Sequence, residues 1–182
     1  MAKTVIVYFS GYGHTAKQAE AVAAGAGDAE LLRIDEHGDL PEGGWEKIQA
    51  ARAVIFGAPT YMGGPAWQFK KFADASSKAW FQLLWKDKLA AGFTNSAAIN
   101  GDKGSTISYL MTLAMQHGML WIGTALMPAN SKTATRNDAN WLGGFSGALA
   151  QSPSDSSPDE GPLPGDLETA RFLGERVAAH AK

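Results

Sequence analysis

Short apolar segments alternate with helical segments along most of this 182-residue chain. Residues 3–9 (KTVIVYF), 53–57 (AVIFG) and 88–94 (KLAAGFT) are apolar over most of their length, which is typical of parallel strands that are covered on both faces. Residues 30–34 and 119–122 predict two further strands. The alternation predicts an α/β fold: a doubly wound, five-stranded parallel sheet in strand order 2-1-3-4-5, with helices on both faces.

The segments between the strands carry helical patterns, and the last part of the chain is irregular. A long stretch rich in Gly, Ser, Pro and Asn precedes a final helix, at whose start Asp166 is the expected N-cap. The chain has no internal repeat, and its length suits one domain over residues 1–182. The predicted helices span residues 14–26, 45–51, 65–76, 105–117 and 166–181, and the irregular stretch spans residues 123–165.

The composition excludes several classes of protein. The formal net charge is −2 with both signs spread along the chain, which gives no footprint for nucleic acid. The chain has no cysteine, so thiol catalysis, disulfides and zinc–thiolate sites are excluded, and we predict no metal site. No apolar run approaches the ~18 residues of a membrane span, and the first residues enter a strand without a signal-peptide core. We therefore expect a soluble cytoplasmic protein with no membrane partner.

Three loops with unusual residues follow three of the predicted strands. They are residues 10–15 (SGYGHT), 58–65 (APTYMGGP) and 95–104 (NSAAINGDKG). In the strand order 2-1-3-4-5 the first, third and fourth strands are neighbours, and ligands of such sheets bind beyond the carboxyl ends of the strands. The three loops are therefore expected to converge on one binding site.

The first loop has the chemistry of an anion site. It contains Gly11 and Gly13 together with the hydroxyls of Ser10 and Thr15, and it leads into a helix. Backbone N–H groups at a helix N-terminus and the helix dipole favour a phosphate monoester there.

A dinucleotide site is an alternative for the same loop. Gly11, Gly13 and Ala16 fit the pattern G-x-G-x-x-G/A, and Asp35 closes the second strand at about the expected distance. The chain is short for an added substrate domain, however, and the other two loops carry the more distinctive residues.

The sequence also excludes three other classes of α/β protein. A Walker A loop is absent, because no Gly-Lys-Ser/Thr occurs. Phe9-Ser10 replaces the acidic residues of a receiver domain, and a low-molecular-weight tyrosine phosphatase would need a cysteine.

Several segments together resemble a known family over nearly the whole chain. They are YFSGYGHT, FGAPTYMGGPAWQFKKFAD, KLAAGFTNS, STISYLMTLAMQHGML and ARFLGERVA, and they are similar to the WrbA-type NAD(P)H:quinone oxidoreductases, flavodoxin-like FMN enzymes. The resemblance implies FMN as cofactor, NADH or NADPH as electron donor, a quinone or other small acceptor, and a homo-oligomer, either a dimer or a tetramer. It implies two-electron hydride transfer from NAD(P)H through FMN to the quinone.

The resemblance also implies roles for individual residues. Tyr12 would reach toward the nicotinamide side, Trp80 would lie near the substrate pocket, and His117 would face the flavin, so these three are the predicted catalytic residues. The predicted cofactor-binding residues are Ser10, Gly11, Tyr12, Gly13, His14, Thr15, Pro59, Thr60, Tyr61, Met62, Gly63, Asn95, Ser96, Ala97, Ala98, Ile99, Asn100, Gly101 and His117.

Some of these residues have structural alternatives. The aromatic stretch around Trp80 is also typical of a core or a subunit interface, and a histidine such as His117 near a helix C-terminus commonly just complements the dipole. The third loop is longer and has fewer glycines than the family pattern, which leaves fewer positions for positive φ. The serine-rich residues 152–162 are predicted as a loop with turn chemistry.

A flavodoxin-type electron carrier without NAD(P)H oxidation is the main functional alternative. Such carriers are typically strongly acidic, because they dock to basic redox partners. The net charge of −2 favours the enzyme. A protein with the same scaffold and no FMN is a third class.

Overall fold

The computed structural model describes residues 3–182. Seven strands and six helices follow one another along these residues. The strands are β1 (Thr4–Tyr8), β2 (Ala29–Arg33), β3 (Ala53–Tyr61), β4 (Gly64–Pro65), β5 (Leu89–Ser96), β6 (Leu120–Trp121) and β7 (Ala148–Gln151), and the helices are α1 (His14–Ala26), α2 (Gly44–Ala50), α3 (Trp67–Ala75), α4 (Ser77–Phe81), α5 (Lys103–Gln116) and α6 (Pro164–His180).

The main strands form a parallel sheet in the order β2-β1-β3-β5-β6. This arrangement confirms the predicted doubly wound fold and its strand order. Strands β1 and β3 are buried along nearly all of their length, because α1 and α6 pack on one face and α2, α3 and α5 on the other. The apolar runs that predicted these strands are the two-sided core of the sheet.

The last position of the sheet is shared by two short strands. Strand β6 pairs with the start of β5, and β7 pairs with its end, both in parallel. Residues 122–147 leave the sheet between them. The sequence predicted only the first of the two strands and treated residues 148–151 as irregular, because a four-residue strand between glycine- and serine-rich segments has too short an apolar pattern to stand out.

The start of the last helix differs from the prediction. Asp166 is not its N-cap: Leu163 is the N-cap residue and Pro164 begins the helix. The Asp166 carboxylate instead accepts hydrogen bonds from the Arg136 guanidinium at 2.8 Å and the Gln151 backbone N–H at 2.9 Å. Asp166 therefore ties the irregular segment and β7 to α6.

No helix within residues 3–182 is long and apolar enough to cross a membrane. The same residues contain no group of three or more His, Asp or Glu side chains placed to hold a metal ion.

Helices α1 and α6 approach each other so closely that glycine is required at the contact. A Cβ atom on Gly25 would lie 1.8 Å from the Arg171 carbonyl oxygen, and one on Gly174 would lie 2.0 Å from the Val22 carbonyl oxygen. Both obstacles are backbone atoms, so neither can be relieved by a change of rotamer. The two glycines thus set the distance between α1, which begins at the first loop, and α6.

We expect Gly174→Ala to destabilise the protein by at least about 2 kcal/mol, since the helices must separate to admit the methyl group. Gly104→Ala is the matched control, because Gly104 is also helical and has open space around its Cβ position. That control should be neutral or stabilise the fold by up to about 1 kcal/mol. Urea denaturation of both variants measures the difference, and equal stabilities would contradict the close approach.

Candidate functional site

The three loops converge, as expected, on one cleft beyond the carboxyl ends of β1, β3 and β5. The cleft has a volume of about 460 Å³, which is within the usual range for cofactor sites. It is lined by Tyr12, His14, Thr15, Pro59, Thr60, Tyr61, Asn95, Ser96, Ala97, Ser152, Ser154 and Ser156.

The first loop is shaped from beneath by Ser10. The buried Ser10 hydroxyl oxygen accepts hydrogen bonds from the N–H groups of Gly13 and Ala16, each at 3.1 Å. The N–H groups of His14 and Thr15 have no acceptor within the helix, because both residues lie in its first turn. Both residues line the cleft. Ser10 therefore organises the loop, while His14 and Thr15 offer donors to a ligand.

The charges around the first loop suit an anion. Helix α1 has no acidic residue in its first turn, so its dipole presents partial positive charge to the cleft. The Arg33 guanidinium, at the end of β2, donates to the Ser10 carbonyl oxygen at 3.1 Å. This contact brings a positive charge to the outer side of the loop.

The second loop is a tight hairpin. Met62 and Gly63 both have positive φ, at 48° and 80°, and they join β3 to β4 as the two central residues of a type I′ turn. Tyr61, just before the turn, packs edge to face with Tyr12 at 6.1 Å between ring centroids. Burial is the main reason that the pKa of Tyr61 rises to about 12. Tyr61 therefore remains a neutral phenol at physiological pH.

A cluster of buried hydroxyls holds the second and third loops together below the cleft. The Thr60 hydroxyl lies 2.8 Å from the hydroxyls of both Thr94 and Thr106. These residues come from β3, β5 and α5, so the cluster fixes the relative position of three elements. Thr60 also lines the cleft.

The third loop reaches the cleft only with its first residues. Asn95, Ser96 and Ala97 line it, whereas residues 98–101 continue past it toward α5. Four predicted cofactor-binding residues are therefore absent from the cleft lining: Ala98, Ile99, Asn100 and Gly101. The carbonyl groups of Ala98, Ile99 and Asn100 turn inward onto the side chain of Lys103.

Residues 152–160, called here the serine strap, close the cleft over the first loop. The Ser156 carbonyl oxygen lies 3.0 Å from His14 Nε2, and Lys17 forms an ion pair with Asp159 at 3.1 Å. A Cβ atom on Gly13 would lie 2.5 Å from Pro158, so glycine is needed where the strap crosses the loop. The sequence predicted this segment only as a turn-rich loop.

Two predicted catalytic residues lie away from the cleft. His117 follows α5, and the chain then enters β6, so it lies at the opposite edge of the sheet. It is 1% exposed, stacks on Trp85 at 4.0 Å, and its Nε2 lies 2.9 Å from the Ser76 hydroxyl. Burial lowers the pKa of His117 to about 4. The structure therefore places His117 as a neutral core residue rather than as a flavin contact.

Trp80 lies in α4, which connects α3 to the start of β5. The chain leaves the cleft edge of the sheet after β3 and β4 and returns through α3 to the start of β5 at the other edge. Trp80 therefore also lies at the edge opposite the cleft. Trp80 is partly exposed, so it is not a core residue either. Within one chain it does not contribute to the cleft lining.

Asp35, the acidic residue of the dinucleotide alternative, is engaged in a local turn. Its carboxylate accepts the backbone N–H groups of His37 at 2.9 Å and Asp39 at 2.8 Å. The Asp39 hydrogen bond is the main reason that the pKa of Asp35 is lowered. This geometry and the strand order do not match a dinucleotide fold of the Rossmann type.

Comparison with known proteins identifies the family. Residues 13–133 match the family described as NADPH-dependent FMN reductase. The chain is 52% identical to a protein of Pseudomonas aeruginosa named flavodoxin FldP, over 98% of this chain and 96% of that protein. It is 34% identical to an NAD(P)H dehydrogenase (quinone) of Geotalea uraniireducens, over 98% of this chain and 97% of the other.

A solved structure agrees with these matches. The crystal structure of a flavodoxin, WrbA-like protein from Agrobacterium tumefaciens is 50% identical in sequence and superimposes with a TM-score of 0.81, covering 100% of this chain and 98% of that one. The chain therefore belongs to the NADPH-dependent FMN reductase family and is a flavodoxin-like protein of the WrbA type.

Proposed function

We propose that the protein binds FMN in the cleft and catalyses the oxidation of NADH or NADPH by a quinone. The observation that carries the proposal is the convergence of a helix N-terminus, three loops and the serine strap on one cleft. FMN, when bound, supplies the redox chemistry by taking two electrons from the nicotinamide and passing them to the acceptor.

The residues of the cleft fit the two ends of FMN. At the α1 end, the N–H groups of His14 and Thr15 and the Thr15 hydroxyl match a terminal phosphate, whose charge the helix dipole favours. At the other end, Pro59 and Tyr61 offer flat, apolar surface for a ring system, and Ala97 borders it. The cleft lining therefore combines polar groups for a phosphate with apolar surface for a ring, as FMN requires.

The side chains around the ring end would control access to it. Tyr12 is 76% exposed and lies edge-on to Tyr61, so its ring forms the rim past which a nicotinamide or quinone would enter. Met62, fully exposed at the tip of the hairpin, extends the same apolar rim. These residues would orient a planar substrate and exclude water, and the reaction needs no protein nucleophile.

The proposed substrate role of Trp80 requires a second copy of the chain. Trp80 lies at the opposite edge of its own sheet, so it could approach a cleft only in an oligomer. Phe81 and Leu83 beside it are also exposed, which gives this edge an apolar surface for such an assembly. Because of this exposed apolar surface, the proposal includes a homo-oligomer.

An FMN electron carrier is the second candidate. The name of the 52% identical relative, flavodoxin FldP, favours it, whereas the relatives named NAD(P)H dehydrogenase (quinone) are about 30% identical. Both candidates need the same cleft, so FMN binding does not separate them. Direct oxidation of NAD(P)H does.

The first test concerns the phosphate end. We expect Thr15→Ala to weaken FMN binding about tenfold or more, because a hydrogen bond to a charged phosphate is worth roughly 1.5 to 3 kcal/mol. Quenching of flavin fluorescence on titration measures the dissociation constant. Thr112→Ala is the control, because the exposed Thr112 hydroxyl bonds only to the Ser108 carbonyl oxygen. Equal affinities in the two variants would show that the phosphate binds elsewhere.

The second test concerns the serine strap. FAD carries a second phosphate and an adenosine beyond the FMN phosphate, and these would have to pass the strap at Pro158. We expect FMN to bind at least tenfold more tightly than FAD. His14→Ala removes a contact to the strap and should narrow that ratio, whereas His37→Ala, at an exposed turn, should not. Equal binding of FMN and FAD by the unaltered protein would mean that the strap does not close this end.

The third test separates enzyme from carrier. With FMN bound and no reductase added, benzoquinone should be reduced by NADH or NADPH. Double-reciprocal plots should give parallel lines, because one flavin face would serve both substrates in turn. If FMN binds but neither nicotinamide is oxidised, the carrier is the correct function and the cleft assignment stands.

A further inference from the structure

Lys103 is a buried lysine in the third loop region with an unusual set of partners. The residue is 1% exposed, and lysines are rarely buried in this way unless they are paired with an acid. Its Nζ donates to the carbonyl oxygens of Ala98 at 2.8 Å, Ile99 at 2.6 Å and Asn100 at 3.3 Å. One ammonium group therefore gathers three consecutive carbonyls of the loop.

This arrangement fixes the direction of the neighbouring amides. In a trans peptide the C=O and N–H groups point in opposite directions. The three peptides whose carbonyls face Lys103 carry the N–H groups of Ile99, Asn100 and Gly101, so these three N–H groups point away from Nζ. Residues 97–100 are exposed, and Ala97 at the start of the loop lines the cleft. The loop therefore presents three N–H donors on the side away from Nζ, and the positively charged ammonium of Lys103 lies on its other side.

The position of Lys103 is not explained by helix stability. It is the first residue of α5, where the helix dipole disfavours a positive charge. The ammonium instead holds the loop through its three carbonyl contacts. Gly101 and Asp102 have positive φ, at 53° and 52°, so the loop is tightly turned where it enters the helix.

The other charges near Lys103 largely cancel one another. Asp166 on α6 and Arg136 on the irregular segment form an ion pair with each other at 2.8 Å, and Asp102 beside Lys103 is exposed. Burial lowers the pKa of Lys103 to about 8, Asp166 opposes that shift, and Arg136 adds to it. The ammonium is thus charged at neutral pH and loses its charge in mildly alkaline solution.

We propose that Lys103 is a positioning residue for the ring end of the cofactor: it turns the amides of residues 99–101 outward and, through its charge, makes the cleft bind reduced FMN more tightly than oxidised FMN. This proposal rests on the proposed function, because it concerns FMN in the same cleft. Reduced flavin carries more negative charge on its ring than oxidised flavin, so outward N–H groups backed by a cation favour the reduced form.

The test compares Lys103→Met with Lys88→Met. Lys88 is a matched control, because it is partly buried, it too donates to backbone carbonyls, those of Gln49 and Ala51, and burial lowers its pKa as well. It lies at the start of β5, at the edge opposite the cleft. The measurements are the dissociation constant of oxidised FMN and the midpoint potential of the bound FMN at pH 7.

We expect Lys103→Met to lose about tenfold more affinity for reduced than for oxidised FMN, which lowers the midpoint potential by about 30 mV for a two-electron couple. Lys88→Met should leave the potential unchanged. A folded Lys103→Met protein that binds FMN with the potential of the unaltered protein would overturn the proposal. If the unaltered protein does not bind FMN at all, the proposed function fails, and this inference fails with it.

The pH dependence of the midpoint potential of bound FMN provides a second measurement. It does not require the Lys103→Met protein to fold. The potential of FMN bound to the unaltered protein is compared with that of Lys103→Arg, which keeps its charge at every pH used. As the pH rises through about 8, Lys103 loses its proton, so the potential of the unaltered protein should fall relative to that of Lys103→Arg. A constant difference between pH 6.5 and 9.5 would overturn the proposal.

Discussion

The two-sided burial of the central strands is the constraint on which the site depends. Val5, Ile6 and Val7 in β1 are at most 1% exposed, because helices cover both faces of the sheet. A strand buried in this way must be joined to its parallel neighbour by a helix, so every chain reversal takes place at one edge or the other. The loops at the carboxyl edge are therefore brought together by the core itself, and the cleft needs no separate domain to form it.

One buried polar side chain holds each loop of the cleft by forming hydrogen bonds with backbone or hydroxyl groups. Ser10 accepts two amides of the first loop, Thr60 joins the hydroxyl cluster under the second, and Lys103 gathers three carbonyls of the third. Buried polar groups with complete hydrogen bonding specify a single conformation. In the first loop, where Ser10 is used internally, the N–H groups that remain are those of His14 and Thr15, which line the cleft.

The parts of this arrangement that the sequence predicted are local. The apolar runs predicted the strands, and the unusual residues of the three loops predicted where the cleft lies, since both signals lie within about ten neighbouring residues. The serine strap was missed because its contact from Ser156 to His14 spans 142 positions in the chain, and no short pattern encodes such a pairing. His117 was misplaced because the end of its helix points away from the cleft, which only the assembled fold reveals.

The surface of the cleft bears on the choice between enzyme and carrier. A carrier that docks to a basic partner benefits from a field of one sign, yet the charges here are mixed: Lys17 is neutralised by Asp159, and Arg33 lies on the outer side of the same loop. The cleft is bordered instead by the aromatic side chains of Tyr12 and Tyr61. An aromatic rim of this kind suits contact with a small planar molecule, and under the proposed function NAD(P)H and a quinone would meet the flavin there.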